Sequence, residues 1–590
     1  MSVDKVRVDV KKEAEFQRDF IDSPDLQACI RVLRDIVKSS YGPQGRLKSV
    51  QNCCGGHLTV TSSSRRLFGA LSVSRPVLQL VVGSVQGHMR AFGDGGLFAA
   101  LLSLNLIENS FCLSVQRHVT VDLFDCFLTL AVDYLKSPDC RCKQALNYPN
   151  LDFLLKLTHS VVGSKPLCNL YGLKLDYISR ILVEAFLQSL PESKVHRCRP
   201  ETIHFLTETG YSVTESKVFA GVLLDTCGRD ISIVQNLNCQ SVWSDSHRTV
   251  PVVVVNISLS GDLEDFVEAD CYEVNCDINV DNVAIQRLQC FAEALLSSGT
   301  KAVFCQKVVH PDIKIYLKRR GILVIDRLGG AVCKTIQQLT GAPVVSCISP
   351  SVVRNCVGSL ASITVEVFHG KSYLLLTSLF SKDVSVVLCN SGEERVEELK
   401  VVSEAAVQCL YRHLQQPEVL SGGGCWQTHL SGHIRQQVEN KVVILTRKFH
   451  VTKSTLLTVS EAFCQSLEQC AMALSKDGEC HMTDTANQHL WVAPSACWDS
   501  KKENKLFRKC SCGEFSRGET TKLIALTSVS GQPHTGTYLP VNNKTSVTKT
   551  DLLTGATVID SFPVQLNALK TAVLTASAVL GINQYVRDTN

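Results

Sequence analysis

Residues 92–98 read Phe92-Gly93-Asp94-Gly95-Gly96-Leu97-Phe98. An amphipathic stretch over 76–91 runs into this segment and an apolar stretch over 96–109 leaves it, so the spacing predicts two helices joined by a glycine loop. Small residues let the backbone approach a phosphate, the following helix presents free N–H groups, and a carboxylate at Asp94 is able to hold Mg²⁺. Gly-Asp-Gly also makes ordinary turns, and the pattern alone does not choose between the two.

Working outward, the pattern predicts a helix near 24–40. Ser23 can cap it, Pro24 suits its first turn, and Leu26, Cys29, Ile30, Leu33, Ile36 and Val37 form one apolar stripe. It must stop at Tyr41-Gly42-Pro43-Gln44-Gly45. After Pro149 come helical stripes at Leu151, Leu154, Leu155 and Leu157, then at Leu175, Ile178, Ile181, Leu182, Ala185 and Phe186. From about 205 to 375, β-rich runs (Val252–Val255, Ala302–Cys305, Ile322–Ile325, Tyr373–Leu376) alternate with helices at 283–296 and 331–339, which indicates an α/β domain. A strand at 384–388 and helices at 394–415, 456–476 and 563–580 follow. A helical block, an α/β block and a helical block imply one domain inserted into another. Residues 481–550 are polar and irregular, and read as a long loop or insertion. Gly422-Gly423-Gly424, after the strand-like Val419-Leu420, is a second place for a ligand to meet backbone, or else a flexible hinge.

Composition narrows the function classes. At 590 residues the chain is too long for one core. Apolar residues at 45% and charged residues at 20% exclude a mostly disordered protein. Sixty basic against fifty-six acidic residues leave +4, which gives no global electrostatic case for nucleic acid or an anionic membrane. No apolar run reaches membrane-spanning length, and Met1-Ser-Val-Asp-Lys lacks a signal core, so a soluble intracellular protein is expected. The 27 cysteines then read as reduced thiols, mostly small buried apolar side chains. Cys53-Cys54, Cys140-x-Cys142 and Cys510-x-Cys512 are the closest pairs; none has a partner pair at zinc-finger spacing, and Cys510 with Cys512 is the place for a structural zinc if there is one.

Other motifs fail on their spacing. Gly370-Lys371-Ser372 ends like a phosphate loop, but Val365 stands where the leading glycine belongs. No Gly-x-Ser-x-Gly elbow occurs. His88, His159 and His429 sit in helical patterns and read as core or surface histidines. Glu393-Glu394-Arg395 and Lys501-Lys502-Glu503 read as solvated faces.

Taken in order, these segments resemble the group II chaperonin subunits of the archaeal and eukaryotic cytosol over essentially the full length. Tyr41-Gly42-Pro43-Gln44-Gly45-Arg46-Leu47-Lys48 is similar to the family's Leu-Gly-Pro-Lys-Gly turn, and Gly93-Asp94-Gly95 to its Gly-Asp-Gly-Thr-Thr. Thr158-His159-Ser160 with Ser164-Lys165, Gly221-Val222-Leu223-Leu224-Asp225, Val303-Phe304-Cys305-Gln306-Lys307 and Gly422-Gly423-Gly424-Cys425 complete the series. The resemblance implies a multidomain α and α/β subunit. Its equatorial domain would take residues 1–148 and 417–590, its intermediate hinge domain 149–206 and 376–416, and its α/β apical substrate-binding domain 207–375. It also implies a nucleotide site at Gly42, Pro43, Gly93, Asp94, Gly95, Gly422, Gly423 and Gly424, with Asp94 as a weak Mg²⁺ ligand.

The departures bear on function. In the family, a Thr-Asn-Asp-Gly segment supplies an acid to the nucleotide site; the matching Thr61-Ser62-Ser63-Ser64 has Ser63 there. Gly96 and Leu97 replace two threonines. The acid that activates the hydrolytic water lies seventeen residues before the triple glycine, which is Ala405 here. Glu404 is adjacent but points about 100° away on a helix. Gln427 stands where a glutamate is expected. The expectation is a vestigial site with no catalytic residue, no required cofactor, and at most weak ATP/Mg binding; the alternative is an ATP-driven folding subunit with Glu404 as a shifted base.

Segments such as Gly96-Leu97-Phe98, Asn105-Leu106-Ile107-Glu108-Asn109, Cys305-Gln306-Lys307-Val308-Val309-His310-Pro311 and Leu420-Ser421-Gly422-Gly423-Gly424-Cys425 resemble the Bardet–Biedl chaperonin-like group within the family. That resemblance implies work with sister proteins of the group and with cytosolic chaperonin subunits. BBSome subunits would be the clients, in the cytosol and at the centrosome or basal body, without nucleic acid or membrane insertion. A helical protrusion for clients would fall within Leu259–Gln306, where Asp262, Glu264, Asp265, Glu268 and Asp270 make the segment acidic.

Overall fold

A computed structural model describes residues 15–18, 20–51, 58–138, 140, 142–145, 151–191, 200–225, 249–261, 280–379, 381–474, 483–484, 489–490 and 558–587. The cysteine pairs at 53–54 and 510–512, most of the 481–550 insertion, the 501–503 run and the acidic stretch 262–279 lie outside the described residues. The chain separates into two compact units. One comprises Met1–Val183, Thr207–Thr214 and Cys389–Asn590, the other Glu184–Leu206 and Glu215–Leu388.

The first unit is helical because its apolar residues recur at helical spacing. Pro24–Ser40 starts under the Ser23 hydroxyl, which accepts from Leu26 N at 3.3 Å, and buries Leu26, Ile30, Leu33 and Val37. The helix Gly96–Phe111 is apolar all round and buried from Gly96 to Ile107, so it runs through the middle of this core. Helices Pro24–Ser40, Pro76–Phe92, Lys453–Met472 and Phe562–Leu580 pack on it. Arg117–Lys136 and Cys425–Asn440 add the ring packing of Phe124 and Phe127 on Phe463 and of Trp426 on Phe98. The strand Glu418–Ser421 is paired antiparallel on both sides, with Lys143–Ala145 and Ile559–Ser561, and Leu420 is opposite Asp560.

The second unit is built on a five-stranded sheet. Leu323–Ile325, Ala302–Cys305, Val250–Val255 and Val344–Val345 are parallel in that order, and Val357–Leu360 pairs antiparallel with Val250–Val255. Alternate side chains of the run Val252–Val255 enter two different cores, which is why the whole run is apolar. Val252 and Val254 face the helix Gly329–Thr340, while Val253 and Val255 face Val280–Ser297 and Pro311–Arg319. Gly370-Lys371-Ser372 proves to be a hairpin: His369 (φ 50°) and Gly370 (φ 76°) form the two-residue turn between Ser362–Phe368 and Lys371–Thr377.

One surface expectation is corrected. Within Glu393-Glu394-Arg395, Glu394 is not simply solvated: its carboxylate accepts from Arg66, and from Val60 N at 3.4 Å. Both partners are more than three hundred residues away in the chain, so the charge run carries no sign of them. No helix among the described residues is long and apolar enough to cross a membrane.

Candidate functional site

The helix Pro76–Phe92 ends on Gly93 at φ 80°, and Gly95 at φ 81° opens the next helix, Gly96–Phe111. Both values lie in the left-handed region that glycine enters without a Cβ penalty. Space forbids a side chain as well. A Cβ on Gly93 would lie 2.4 Å from Gln408 Oε1 and 3.6 Å from Ala405 Cα, so the loop is pressed against the helix Glu393–Gln415. Arg412 of that helix donates to the Ala91 carbonyl and covers the Phe92 ring at 4.4 Å. From inside, buried His88 donates through Nε2 to the Asp94 carbonyl at 2.8 Å, with Nδ1 2.8 Å from Asn567 Oδ1. The loop is therefore rigidly placed.

The triple glycine has a similar design. Gly423 (φ 65°) and Gly424 (φ 89°) lead into the helix Cys425–Asn440, and Gly422 N donates to the Val558 carbonyl at 2.8 Å. Neither Gly96–Phe111 nor Cys425–Asn440 has a side-chain cap, so both present free N–H groups. Their first turns touch, with Phe98 and Trp426 edge to face at 5.2 Å between ring centroids. Two uncapped helix N-termini thus lie near each other, and a helix N-terminus is a recurrent place for anionic groups.

Three charged groups lie at this junction. Lys165 Nζ is 3.3 Å from Asp94 Oδ1, and both side chains are mostly buried. Burial works to raise the Asp94 pKa, but the Lys165 ammonium and the Gly95 N–H hold it below the usual carboxylate value. Asp560, beside Gly422, accepts from Trp426 Nε1 at 3.2 Å. Burial and then the Asp94 charge push its carboxyl up to about 7. Tyr41, which opens the Gly42-Pro43 turn, is raised well above its ordinary value by burial, with the charges of Cys470, Asp560 and Asp94 acting in the same direction. Gly42 itself takes φ 83° and packs against Leu474.

The structure thus brings together Gly93, Asp94, Gly95, Gly422 and Ala405. Asp560 escapes sequence reasoning, since a single acid following a polar stretch carries no spacing signal. Lys165 is visible in sequence as part of the Ser164-Lys165 match, but only the fold gives it a role. Ser63 is buried, and its Oγ donates to Glu398 Oε2 at 3.1 Å. Glu404 is held by Arg65 at 2.7 Å. Gln427 is buried, and its Oε1 has no hydrogen-bond partner among the described residues.

Comparison with known proteins gives the family. The profile of the TCP-1/cpn60 chaperonin family matches residues 33–590. The chain belongs to the TCP-1/cpn60 chaperonin family. Molecular chaperone MKKS of Mus musculus is 30% identical over 585 residues, 99% of this chaperonin and 100% of the relative. Molecular chaperone MKKS of Homo sapiens is 29% identical over 586 residues, again 99% and 100%. Thermosome subunit alpha of Methanothermobacter thermautotrophicus is 20% identical over 414 residues, 69% of this chaperonin and 72% of the relative. The multidomain α and α/β chaperonin fold is thereby established, and chaperonin-like chaperone function with it.

A nucleotide and its cation place different demands on this chaperonin's residues. The glycine loops, the two helix N-termini and Lys165 fit phosphates. The cation is served less well. Gly96 and Leu97 offer no side-chain oxygen, the Ser63 hydroxyl is committed to Glu398, and Asp94 already faces an ammonium. Among the described residues no group of three or more His, Cys, Asp or Glu side chains is placed to hold a metal ion.

Proposed function

We propose that this chaperonin family member is an assembly chaperone that binds clients and partners and does not hydrolyse ATP effectively. The observation that carries the reading is the methyl group of Ala405. Its backbone lies against Gly93, where the resemblance expects the water-activating acid. Attack of water on a phosphoryl group needs a positioned group to orient the nucleophile and a metal to offset the developing charge. Loss of the base alone costs on the order of 10²–10⁴-fold, and loss of metal-site oxygens adds to it.

The resemblance to the Bardet–Biedl chaperonin-like group supplies the finer proposal. The clients are BBSome subunits, and the partners are sister proteins of that group and cytosolic chaperonin subunits. The places are the cytosol and the centrosome or basal body. Division of the chain into equatorial, intermediate and apical domains, with clients held by the apical one, is part of the same proposal. Single-turnover hydrolysis by the purified chain and by Asp94→Ala, together with native mass, tests it. Background turnover in both, with a mass explained by one chain or by foreign subunits, is expected. Turnover that disappears in Asp94→Ala, in a ring-sized particle, would instead establish the second reading, an ATP-dependent folding subunit. That second reading is favoured only by the surviving convergence of Asp94, Lys165 and the glycine loops.

A further inference from the structure

We infer that the site binds a nucleotide polyphosphate without a divalent cation, Lys165 serving as the charge partner that a cation would otherwise be. The inference rests on the reading that turnover has been lost, and concerns what the same residues still recognise. A Mg²⁺ ion demands near-octahedral oxygen ligation, usually from one or two carboxylates together with waters and substrate phosphates. Here the single carboxylate in the Gly93–Gly95 loop has its Oδ1 3.3 Å from Lys165 Nζ, and the lysine side chain is only 12% exposed. A dication at that oxygen would sit within about 5 Å of an ammonium, in surroundings where like charges repel far more strongly than in water.

Among the described residues the neighbours offer no compensation. Gly96 and Leu97 follow the loop without an oxygen, the backbone of Ala405 lies against it, the Ser64 hydroxyl beside Gly96 is turned to Met89 Sδ at 3.2 Å, and Ser63 donates to Glu398. Asp560 is already engaged by Trp426 Nε1–H. The groups that meet phosphate directly are all present. Two uncapped helix N-termini meet at Phe98 and Trp426, four glycines hold positive φ around them, and Lys165 supplies up to three N–H donors. Loss of cation ligands alongside retention of anion ligands is the expected pattern for a site that keeps a nucleotide for its shape and charge and has no use for its hydrolysis.

The test is ATP and ADP binding by titration calorimetry on the full chain, in Mg²⁺ and in EDTA, for the wild type, Asp94→Asn and Lys165→Met. Unfolding midpoints of all three establish that each is folded. Wild-type affinity should agree between the two conditions within about threefold. Asp94→Asn should bind in EDTA at least as tightly as the wild type, because Lys165 is released from its carboxylate, whereas a cation site would lose binding. Lys165→Met should lose about tenfold or more, one charge-assisted contact being removed. Binding that requires Mg²⁺, loss of binding in Asp94→Asn, or no binding in either condition would overturn the inference and leave the non-hydrolysing assembly chaperone intact. Hydrolysis during the Mg²⁺ titration would overturn that functional reading instead.

Discussion

Ser63 Oγ donates to Glu398 Oε2 at 3.1 Å in the interior of the first unit, where Glu398 is completely buried. The same carboxylate accepts from Thr61 Oγ1 at 2.8 Å, Ser62 N at 2.9 Å and Ser62 Oγ at 3.0 Å, with Arg66 at 3.4 Å. A buried carboxylate is tolerated when its lone pairs are filled in this way. The segment that in the family resemblance carries an acid toward the nucleotide is here tied to the helix Glu393–Gln415.

Ser63→Asp should therefore destabilise the protein more than Ser63→Ala. An aspartate would place a second carboxylate against Glu398 and remove a donor from it. Urea unfolding should show a loss of about 2–4 kcal/mol for the aspartate and about 1 kcal/mol for the alanine. An aspartate variant as stable as the wild type would refute this account of the Ser63–Glu398 contact.

Gly93→Ala should be costly for its size. The new methyl would meet Gln408 Oε1 at 2.4 Å and the residue would have to keep φ at 80°. A loss of about 1–3 kcal/mol is expected from thermal or urea unfolding. Gly83→Ala, in the middle of the helix Pro76–Phe92 with open space around its Cβ position, should instead be neutral or slightly stabilising.

His433 predicts a pH dependence. Its ring stacks on Tyr134 at 3.8 Å between centroids, and burial, followed by the Lys441 charge, lowers its pKa from 6.5 to about 4. The folded protein keeps this imidazole neutral while the unfolded chain protonates it. Its contribution is therefore fully present above pH 6.5 and is lost as the pH falls toward 4. The loss should amount to about 3 kcal/mol at most. His433→Phe preserves the stack and should flatten the unfolding free energy across that window.

Arg435 holds two glutamates. It is bidentate to Glu461 at 2.9 Å through Nε and one terminal nitrogen, and its other terminal nitrogen reaches Glu468, whose side chain is 1% exposed. Arg435→Met should cost about 3–5 kcal/mol, because Glu468 is left buried without its cation. Adding Glu468→Gln to that variant should recover a good part of the loss, and equal unfolding midpoints for the single and double variants would refute the assignment.

Much of the fold is legible in the residues. Ser23 and Pro24 announce the start of Pro24–Ser40, and the four-valine run Val252–Val255 announces a buried strand. The missing leading glycine at Val365 separates Gly370-Lys371-Ser372 from a true phosphate loop, and a hairpin turn stands there. These signals are local: caps, turns and periodicity act over one or two turns of chain. Glu394 reads as solvated because nothing nearby in sequence points to Arg66, its partner 328 residues away.

The amino-acid sequence by itself determined the helical and α/β blocks, the places where only glycine can serve, and the absence of side-chain oxygens at Gly96, Leu97 and Ala405. Only the tertiary structure decided what the surviving polar groups do. Lys165 neutralises Asp94 across 71 residues, Ser63 serves Glu398 across 335, and Asp560 comes from the far end of the chain to share a site with Asp94. The physical reason is that a carboxylate's protonation and partners are set by burial and by charges within a few ångströms in space, and sequence order does not encode those distances until the core has packed.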